Sequence, residues 1–199
     1  MSRILTQVVE DDTQIDLKIG GDSMLQLTSD GISRPNGKNA DWYQDIVGGN
    51  IAVGGAGAAA ATVTVGSRVY NAWALPNDAT LNAYLEINFW LPPDYDGSAL
   101  KFCAYMTKTA TATGTDIDTR IRVGCIGAGD NLSPTLSAAV DVVDTVGTNE
   151  TLFLVEHTLT PANAADGGLC HGIIQRVASL PADDYTGTVY LIGARVEYA

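Results

Sequence analysis

Cysteine, histidine and positive charge are all scarce in this chain. Its 199 residues include three cysteines, two histidines and 11 lysines and arginines, against 23 aspartates and glutamates. Nucleic-acid binding draws on clustered Lys and Arg, so a formal charge of −12 argues against a nucleic-acid partner. No apolar run approaches the roughly 20 residues of a membrane span, and the first 12 residues lack the apolar segment of a signal peptide. We therefore expect no membrane partner and a protein made in a cytoplasm, kept there or released by lysis.

The cysteines and histidines give no pattern of a reactive or metal-binding site. Cys103, Cys125 and Cys170 are odd in number, widely spaced and set among strand-like neighbours, which argues against a disulfide framework. We expect all three to be buried free thiols. Cys170 and His171 are neighbours in a predicted strand, so their side chains point to opposite faces and cannot act together. His157 is the only other histidine, and no Cys-x-x-Cys pair occurs. We expect no catalytic residue, no metal and no cofactor.

Alternating apolar residues indicate strands over the last two thirds of the chain. The clearest case is 84–91, where Leu85, Ile87 and Phe89 alternate with polar positions before two prolines end the run. Eight segments fit this pattern: 69–75, 84–91, 99–107, 117–126, 140–146, 151–157, 168–178 and 187–198. Eight antiparallel strands in some 130 residues suit an all-β jelly-roll sandwich.

The N-terminal third has a different composition. Short apolar bursts within 1–30 predict short strands, in an extended arm or a small β subdomain, and the polar stretch 28–50 predicts a long loop. Residues 48–66 are rich in Gly and Ala and predict a flexible connector. We therefore predict two parts, an N-terminal arm or β segment over 1–66 and the jelly roll over 67–199.

Four aspartates lie in two turns that share a Pro/Asp/Gly sequence pattern: Asp94, Asp96, Asp183 and Asp184. Carboxylates in such corners can bind calcium. Aspartate is also favoured in turns because its side chain accepts hydrogen bonds from nearby backbone N–H groups, and we favour that interpretation.

Four aromatic residues are candidate interface positions: Trp42, Tyr43, Trp90 and Tyr95. Trp90 lies on the polar side of the best amphipathic strand, where an exposed ring suits a subunit interface or a ligand platform. The alternatives are contact with the second sheet or arm, and stacking against a carbohydrate.

Strand and turn motifs between residues 69 and 199 resemble a family of bacteriophage virion proteins. The matching motifs are Phe89-Trp-Leu-Pro-Pro-Asp-Tyr-Asp-Gly, Ala99-Leu-Lys-Phe-Cys-Ala-Tyr-Met, Ile126-Gly-Ala-Gly-Asp, Ala139-Val-Asp-Val-Val-Asp-Thr-Val and Leu191-Ile-Gly-Ala-Arg-Val-Glu-Tyr. Residues 1–66 show no such match.

The resemblance implies a non-enzymatic jelly-roll protein of the virion. It implies a capsid decoration (cement) protein that is made in the bacterial host cytoplasm and binds between capsomers on the capsid surface. The major capsid protein would then be the partner, and threefold sites would favour a homotrimer, with the 1–66 arm lying along neighbouring subunits. The alternative is a tail-associated or receptor-binding module that binds carbohydrate.

Overall fold

A computed structural model describes residues 7–10, 14–19, 22–28, 31–33, 43–46 and 48–199, apart from 56, 81–82, 92–94, 96, 128 and 165–167. The chain divides into two compact units between Trp42 and Tyr43. None of the helical segments in the described residues is long and apolar enough to cross a membrane.

The first unit contains a four-stranded antiparallel sheet. Its strands are β1 (Gln7–Glu10), β2 (Gln14–Ile19), β3 (Asp22–Thr28) and β4 (Gly31–Ser33). They pair in chain order, each with the next. The short apolar bursts that fall within the described residues therefore lie in strands, as predicted.

The second unit is a β-sandwich of two antiparallel sheets. Its elements are β5 (Tyr43–Ile46), a 3₁₀ turn (Gly48–Asn50), β6 (Ile51–Val53), β7 (Ala59–Val65), β8 (Arg68–Leu75), β9 (Tyr84–Trp90), β10 (Leu100–Thr107), β11 (Asp116–Ile126), β12 (Val140–Thr145), β13 (Phe153–Leu159), β14 (Leu169–Arg176) and β15 (Val189–Tyr198). All eight strands predicted from alternation, β8 to β15, are confirmed.

The strand order is that of a jelly roll. One sheet runs β13-β10-β15-β8-β7, with β5 also paired to β15, and the other runs β12-β11-β14-β9-β6. Successive strands from β8 to β11 alternate between the two sheets, and so do β12 to β15. This interleaving lets both sheets share one core.

The core consists of the inward residues of both sheets. Leu85, Ile87 and Phe89 of β9 are at most 1% exposed, and Phe102 of β10 is fully buried. Burying each such side chain stabilises the fold by about 1.5–3 kcal/mol. The sequence alternation thus reports directly which face of each strand is covered.

The predicted boundary near residue 66 is wrong. β6 pairs with β9, β7 pairs with β8, and β5 pairs with β15. The Gly/Ala segment is therefore part of the sandwich and not a flexible connector, and the long loop expected over 28–50 contains β4 and β5. Alanine and threonine contribute little to a pattern of apolar alternation, but their backbone groups form the hydrogen bonds between strands as well as those of larger residues do.

The expectation of three free thiols is also wrong. Cys125 and Cys170 form a disulfide, with Cα atoms 4.0 Å apart. They are direct partners across β11 and β14. The Cys125 N–H donates away from β14, to the Ala162 carbonyl, so the two cysteines form a non-hydrogen-bonded pair, in which side chains approach most closely. Cys103 is free and buried, as expected.

A buried ion pair joins the two sheets at one end. Arg176 donates from Nε and Nη2 to the two carboxylate oxygens of Asp183, at 2.8 and 2.6 Å, and both side chains are 0% exposed. The guanidinium also donates to the carbonyls of Leu75, Tyr185 and Gly187. A bidentate pair with these further partners meets the hydrogen-bonding needs of the buried charges.

Replacing Arg176 with methionine is expected to cost about 3–5 kcal/mol of unfolding free energy, because it leaves the Asp183 carboxylate buried without its cation. Arg120→Met is the matched control: Arg120 also pairs with an aspartate, Asp141, but these side chains are 28% and 37% exposed, and we expect a loss below about 1 kcal/mol. Urea unfolding of both variants measures the difference, and equal losses would contradict a structural role for burial of the pair.

Candidate functional site

The outer face of the five-stranded sheet carries the most varied set of accessible side chains. We call it the Trp90 face and define it by the outward residues of three neighbouring strands: Tyr84, Glu86, Asn88 and Trp90 of β9, Leu169, His171, Ile173 and Gln175 of β14, and Arg120 and Arg122 of β11. Trp90 is exposed, and the other residues of this face are half-buried.

Trp90 is the most exposed aromatic side chain on this face. Trp90 is 56% exposed, whereas Phe89 beside it is 1% exposed. The backbone N–H of Trp90 donates to Oε1 of Gln44 at 2.8 Å, and the strand also pairs with β14. The ring is therefore presented to solvent from a backbone held on both sides.

Side chains with hydrogen-bonding groups lie next to Trp90 on the same face of β9 and β14. Asn88 lies opposite His171 in the β9–β14 ladder, and Asn88 Oδ1 and His171 Nδ1 are 3.1 Å apart. This pairing fixes both side chains beside the tryptophan. Both retain further donor or acceptor atoms for a ligand.

A loop segment that contains Pro134 and Thr135 packs over one side of the Trp90 face. At Gly124 a Cβ atom would lie 2.3 Å from the Thr135 carbonyl oxygen and 3.2 Å from Pro134. Glycine is therefore required where this segment crosses the sheet. The open part of the face runs along β9 and β14.

Two arginines of β11 lie beside the open part. Arg120 donates from Nε and Nη2 to Asp141 at 2.6 and 2.7 Å, and this hydrogen bonding lowers the pKa of Asp141 below its ordinary value. Arg122 Nε is enclosed and has no hydrogen-bond partner among the described residues. In this Arg122 differs from Arg120, whose Nε donates to Asp141.

The outer face of the six-stranded sheet has a pocket of about 310 Å³. We call it the hairpin pocket, because the β7–β8 hairpin forms one side of it. Six lining residues are uncharged: Val63, Val65, Tyr70, Thr107, Leu152 and Ile192. The seventh is Glu150.

The structure describes three of the four aromatic residues predicted as interface positions. Trp42 lies outside the described residues, and Tyr43 begins β5 opposite Glu197. Tyr95 is only 5% exposed, so its placement at an accessible interface is wrong for this chain: its ring contributes to the core. An interface role for Trp90 stays a prediction.

The aspartates of the C-terminal turn have structural partners. Asp184 Oδ1 accepts the backbone N–H groups of Thr115 and Asp116, at 2.7 and 2.8 Å, which lowers the pKa of Asp184. Asp184 thus accepts backbone N–H groups, as the sequence predicted, but these belong to a segment 69 residues away and not to its own turn. Asp183 instead pairs with Arg176, which turn chemistry did not predict. Asp94 and Asp96 lie outside the described residues, and those that are described contain no cluster of three metal-ligating side chains.

His157 is a core residue. It is 0% exposed, and its Nε2 lies 2.9 Å from Thr119 Oγ1. Burial lowers the pKa of His157 from 6.5 to about 4. His157 lies in the core between the sheets, whereas His171 lies on the outer Trp90 face, so the two histidines form no joint site.

Sequence comparisons assign no family. No protein-family model and no curated protein matches the chain. Among solved structures, the chain is similar to the C-terminal family 22 carbohydrate-binding module of Clostridium thermocellum Xyn10B, at 14% identity over 81% of this chain and 96% of that one, with a TM-score of 0.46. It is similar to the xylan-binding module CBM15, at 9% identity over 79% and 97% of the two chains, with a TM-score of 0.44.

A third similar structure is the enzymatically active domain of bacteriophage CBA120 tailspike protein 4, at 8% identity over 81% of this chain, with a TM-score of 0.44. The present chain spans 20% of that chain. At these identities the likeness concerns the β-sandwich fold and no further property, and membership of a phage virion family stays a prediction.

The buried neutral His157 makes stability depend on pH. The folded-state pKa of about 4 lies below the ordinary 6.5, so the unfolded chain binds more protons between these values and stability falls as pH drops through this window. Between pH 6.5 and 4.5 we expect His157→Gln to lose about 2 kcal/mol less unfolding free energy than the wild type. His171→Gln, which leaves His157 in place, should keep the wild-type fall. Identical pH profiles for His157→Gln and the wild type would exclude this contribution.

Proposed function

We propose that this protein is a non-enzymatic carbohydrate-binding protein that holds an oligosaccharide on the Trp90 face. The observation that carries the proposal is the 56% exposure of Trp90 on a backbone fixed beside the Asn88–His171 pair. A sugar ring has an apolar C–H face and a rim of hydroxyls. Trp90 suits the first, and the neighbouring amide, imidazole and guanidinium groups suit the second.

The spacing of the face favours a chain of sugars over a single ring. Outward residues of one strand repeat every ~7 Å, so Trp90, Asn88, Glu86 and Tyr84 form four successive rows along β9. Each row continues onto β14 through Leu169, His171, Ile173 and Gln175. An extended ligand can therefore contact several rows at once.

The arrangement of carboxylates supports binding without hydrolysis. Glycoside hydrolysis uses a pair of carboxyl groups on the two sides of the scissile bond. Within the described residues, the open part of the Trp90 face carries one carboxylate, Glu86, and the Asp141 carboxylate beside it is held by Arg120. The proposal therefore assigns the face to recognition alone.

Trp90→Ala is expected to weaken binding of the best-bound glycan about tenfold or more, because a large aromatic contact is lost. A panel of soluble polysaccharides that includes xylan and β-1,4-galactan, screened by affinity electrophoresis, identifies that glycan. Isothermal titration of the wild type and variants then measures the affinity.

Val69→Ala is the control for this experiment. Val69 is 64% exposed and lies on β8 of the other sheet, so its loss should leave glycan affinity unchanged. Binding that survives Trp90→Ala, or no glycan bound across the panel, would contradict the proposal.

Attachment to a virion is a second proposal, supported by the separate N-terminal unit. A chain with its own small sheet ahead of the sandwich has a second surface available for attachment. Capsid decoration through the major capsid protein, as a homotrimer, and tail association both use such a surface.

Electron cryomicroscopy of phage particles that carry this chain distinguishes the two locations. Copies at threefold positions of the capsid are expected for a decoration protein. Copies on the tail alone would contradict decoration and leave glycan binding by a tail protein, whereas purified particles that lack the chain would contradict both locations.

A further inference from the structure

We propose that the hairpin pocket binds an alkylammonium group, that is, an aliphatic chain ending in a cationic amine. The pocket lies on the outer face of the six-stranded sheet, so it is separate from the Trp90 face and does not depend on glycan binding.

Three structural elements form the pocket. The β7–β8 hairpin supplies Val63, Val65 and Tyr70, and the strands β10 and β15 of the same sheet supply Thr107 and Ile192. The segment before β13 supplies Glu150 and Leu152. Leu152 is 59% and Tyr70 is 42% exposed, so apolar side chains border a cavity of about 310 Å³ that is open to solvent.

The segment that carries Glu150 is fixed in place. Glu150 has a φ of 61°, in the left-handed region, and its N–H donates to the Lys108 carbonyl at 2.7 Å. The next residue is held as well, because Thr107 Oγ1 donates to the Thr151 carbonyl at 2.7 Å. A non-glycine residue keeps such a backbone conformation only where its surroundings impose it, so the position of Glu150 at the pocket mouth is set before any ligand arrives.

The lining selects one ligand chemistry. Aliphatic side chains and the face of Tyr70 suit a hydrocarbon chain, and Glu150 is the only charged group that lines the pocket among the described residues. A carboxylate at the mouth attracts a cation and repels an anion. Tyr70 adds the negative face of its ring, which attracts an ammonium group as well.

A sugar fits this pocket less well. Its hydroxyls need several hydrogen-bonding partners, and the Thr107 hydroxyl proton is already donated to Thr151. The side chain of Lys108, whose carbonyl accepts the Glu150 N–H, is directed to another group, because Lys108 Nζ lies 4.8 Å from the centre of the Tyr185 ring. The chain as a whole, with a formal charge of −12, also attracts cations.

Titration of the full chain with three probes of equal length tests the proposal: 1-aminopentane, 1-pentanol and pentanoate, followed by ¹H–¹⁵N correlation NMR. We expect shifts at Val65, Tyr70, Leu152 and Ile192, with affinity in the order amine, alcohol, carboxylate. Equal affinity for amine and alcohol, or shifts that map elsewhere, would overturn the proposal.

Two variants separate the charged from the apolar contribution. Glu150→Gln should lower the affinity for the amine roughly three- to fivefold, as for an exposed ion pair, and leave the alcohol unaffected. Leu152→Ser should weaken both probes. Both positions are exposed, so neither change is expected to prevent folding.

Glu156→Gln is the matched control. Glu156 lies on β13 at the same sheet and pairs with Lys101, outside the pocket lining. It should leave amine affinity unchanged, and an equal loss in Glu156→Gln and Glu150→Gln would overturn the assignment to the pocket by indicating attraction to net charge alone.

The same chemistry occurs in free polyamines and in lysine side chains of a partner protein. 1,5-Diaminopentane and Nα-acetyl-lysine methylamide, titrated in parallel, distinguish these sources. Tighter binding of the diamine indicates a polyamine, tighter binding of the lysine derivative indicates a protein segment, and binding of neither would overturn the proposal.

Discussion

The buried pair of Arg176 and Asp183 is the interaction on which the sandwich most depends. Arg176 ends β14 in one sheet, and its guanidinium reaches the carbonyl of Leu75, at the end of β8 in the other sheet, and that of Gly187, which precedes β15. Asp183 also accepts the backbone N–H of Asp118, in β11. One ion pair thus joins three strands and the segment that leads into β15, at a place where apolar packing alone would leave backbone groups without partners. Its geometry compensates for the high desolvation cost of two charges.

With the two sheets fixed in this way, the outer faces are free to differ. The five-stranded sheet exposes Trp90 beside amide, imidazole and guanidinium groups, whereas the six-stranded sheet encloses an apolar pocket with one carboxylate at its mouth. Most of these outward side chains lie outside the core between the sheets, although Val63 and Thr107 of the pocket are buried. The two proposed binding sites therefore rest on opposite faces of one rigid body.

Sequence reasoning predicted the eight strands and the jelly roll, because one-sided burial leaves a period of two in residues such as Leu85, Ile87 and Phe89. It missed the disulfide, because Cys125 and Cys170 become neighbours only through the register of β11 and β14. It missed the role of β7, because the alanines of its first half give no apolar contrast and the Thr-Val alternation of its second half is short. The exposure of Trp90 followed from alternation, whereas the burial of Tyr95 and the hairpin pocket depend on tertiary packing between segments distant in sequence.

The pairing of β5 with β15 places the entry and exit of the sandwich side by side, since Tyr43 lies opposite Glu197. Tension applied between these two points would pull on adjacent ends of antiparallel strands. Their hydrogen bonds would then break one at a time, as in unzipping, and not all together as in shear. We therefore expect the separation of β5 from β15 to need only a small force when tension is applied in this direction. The same proximity suits the sandwich to insertion into a loop of another protein, where both ends must return to one place.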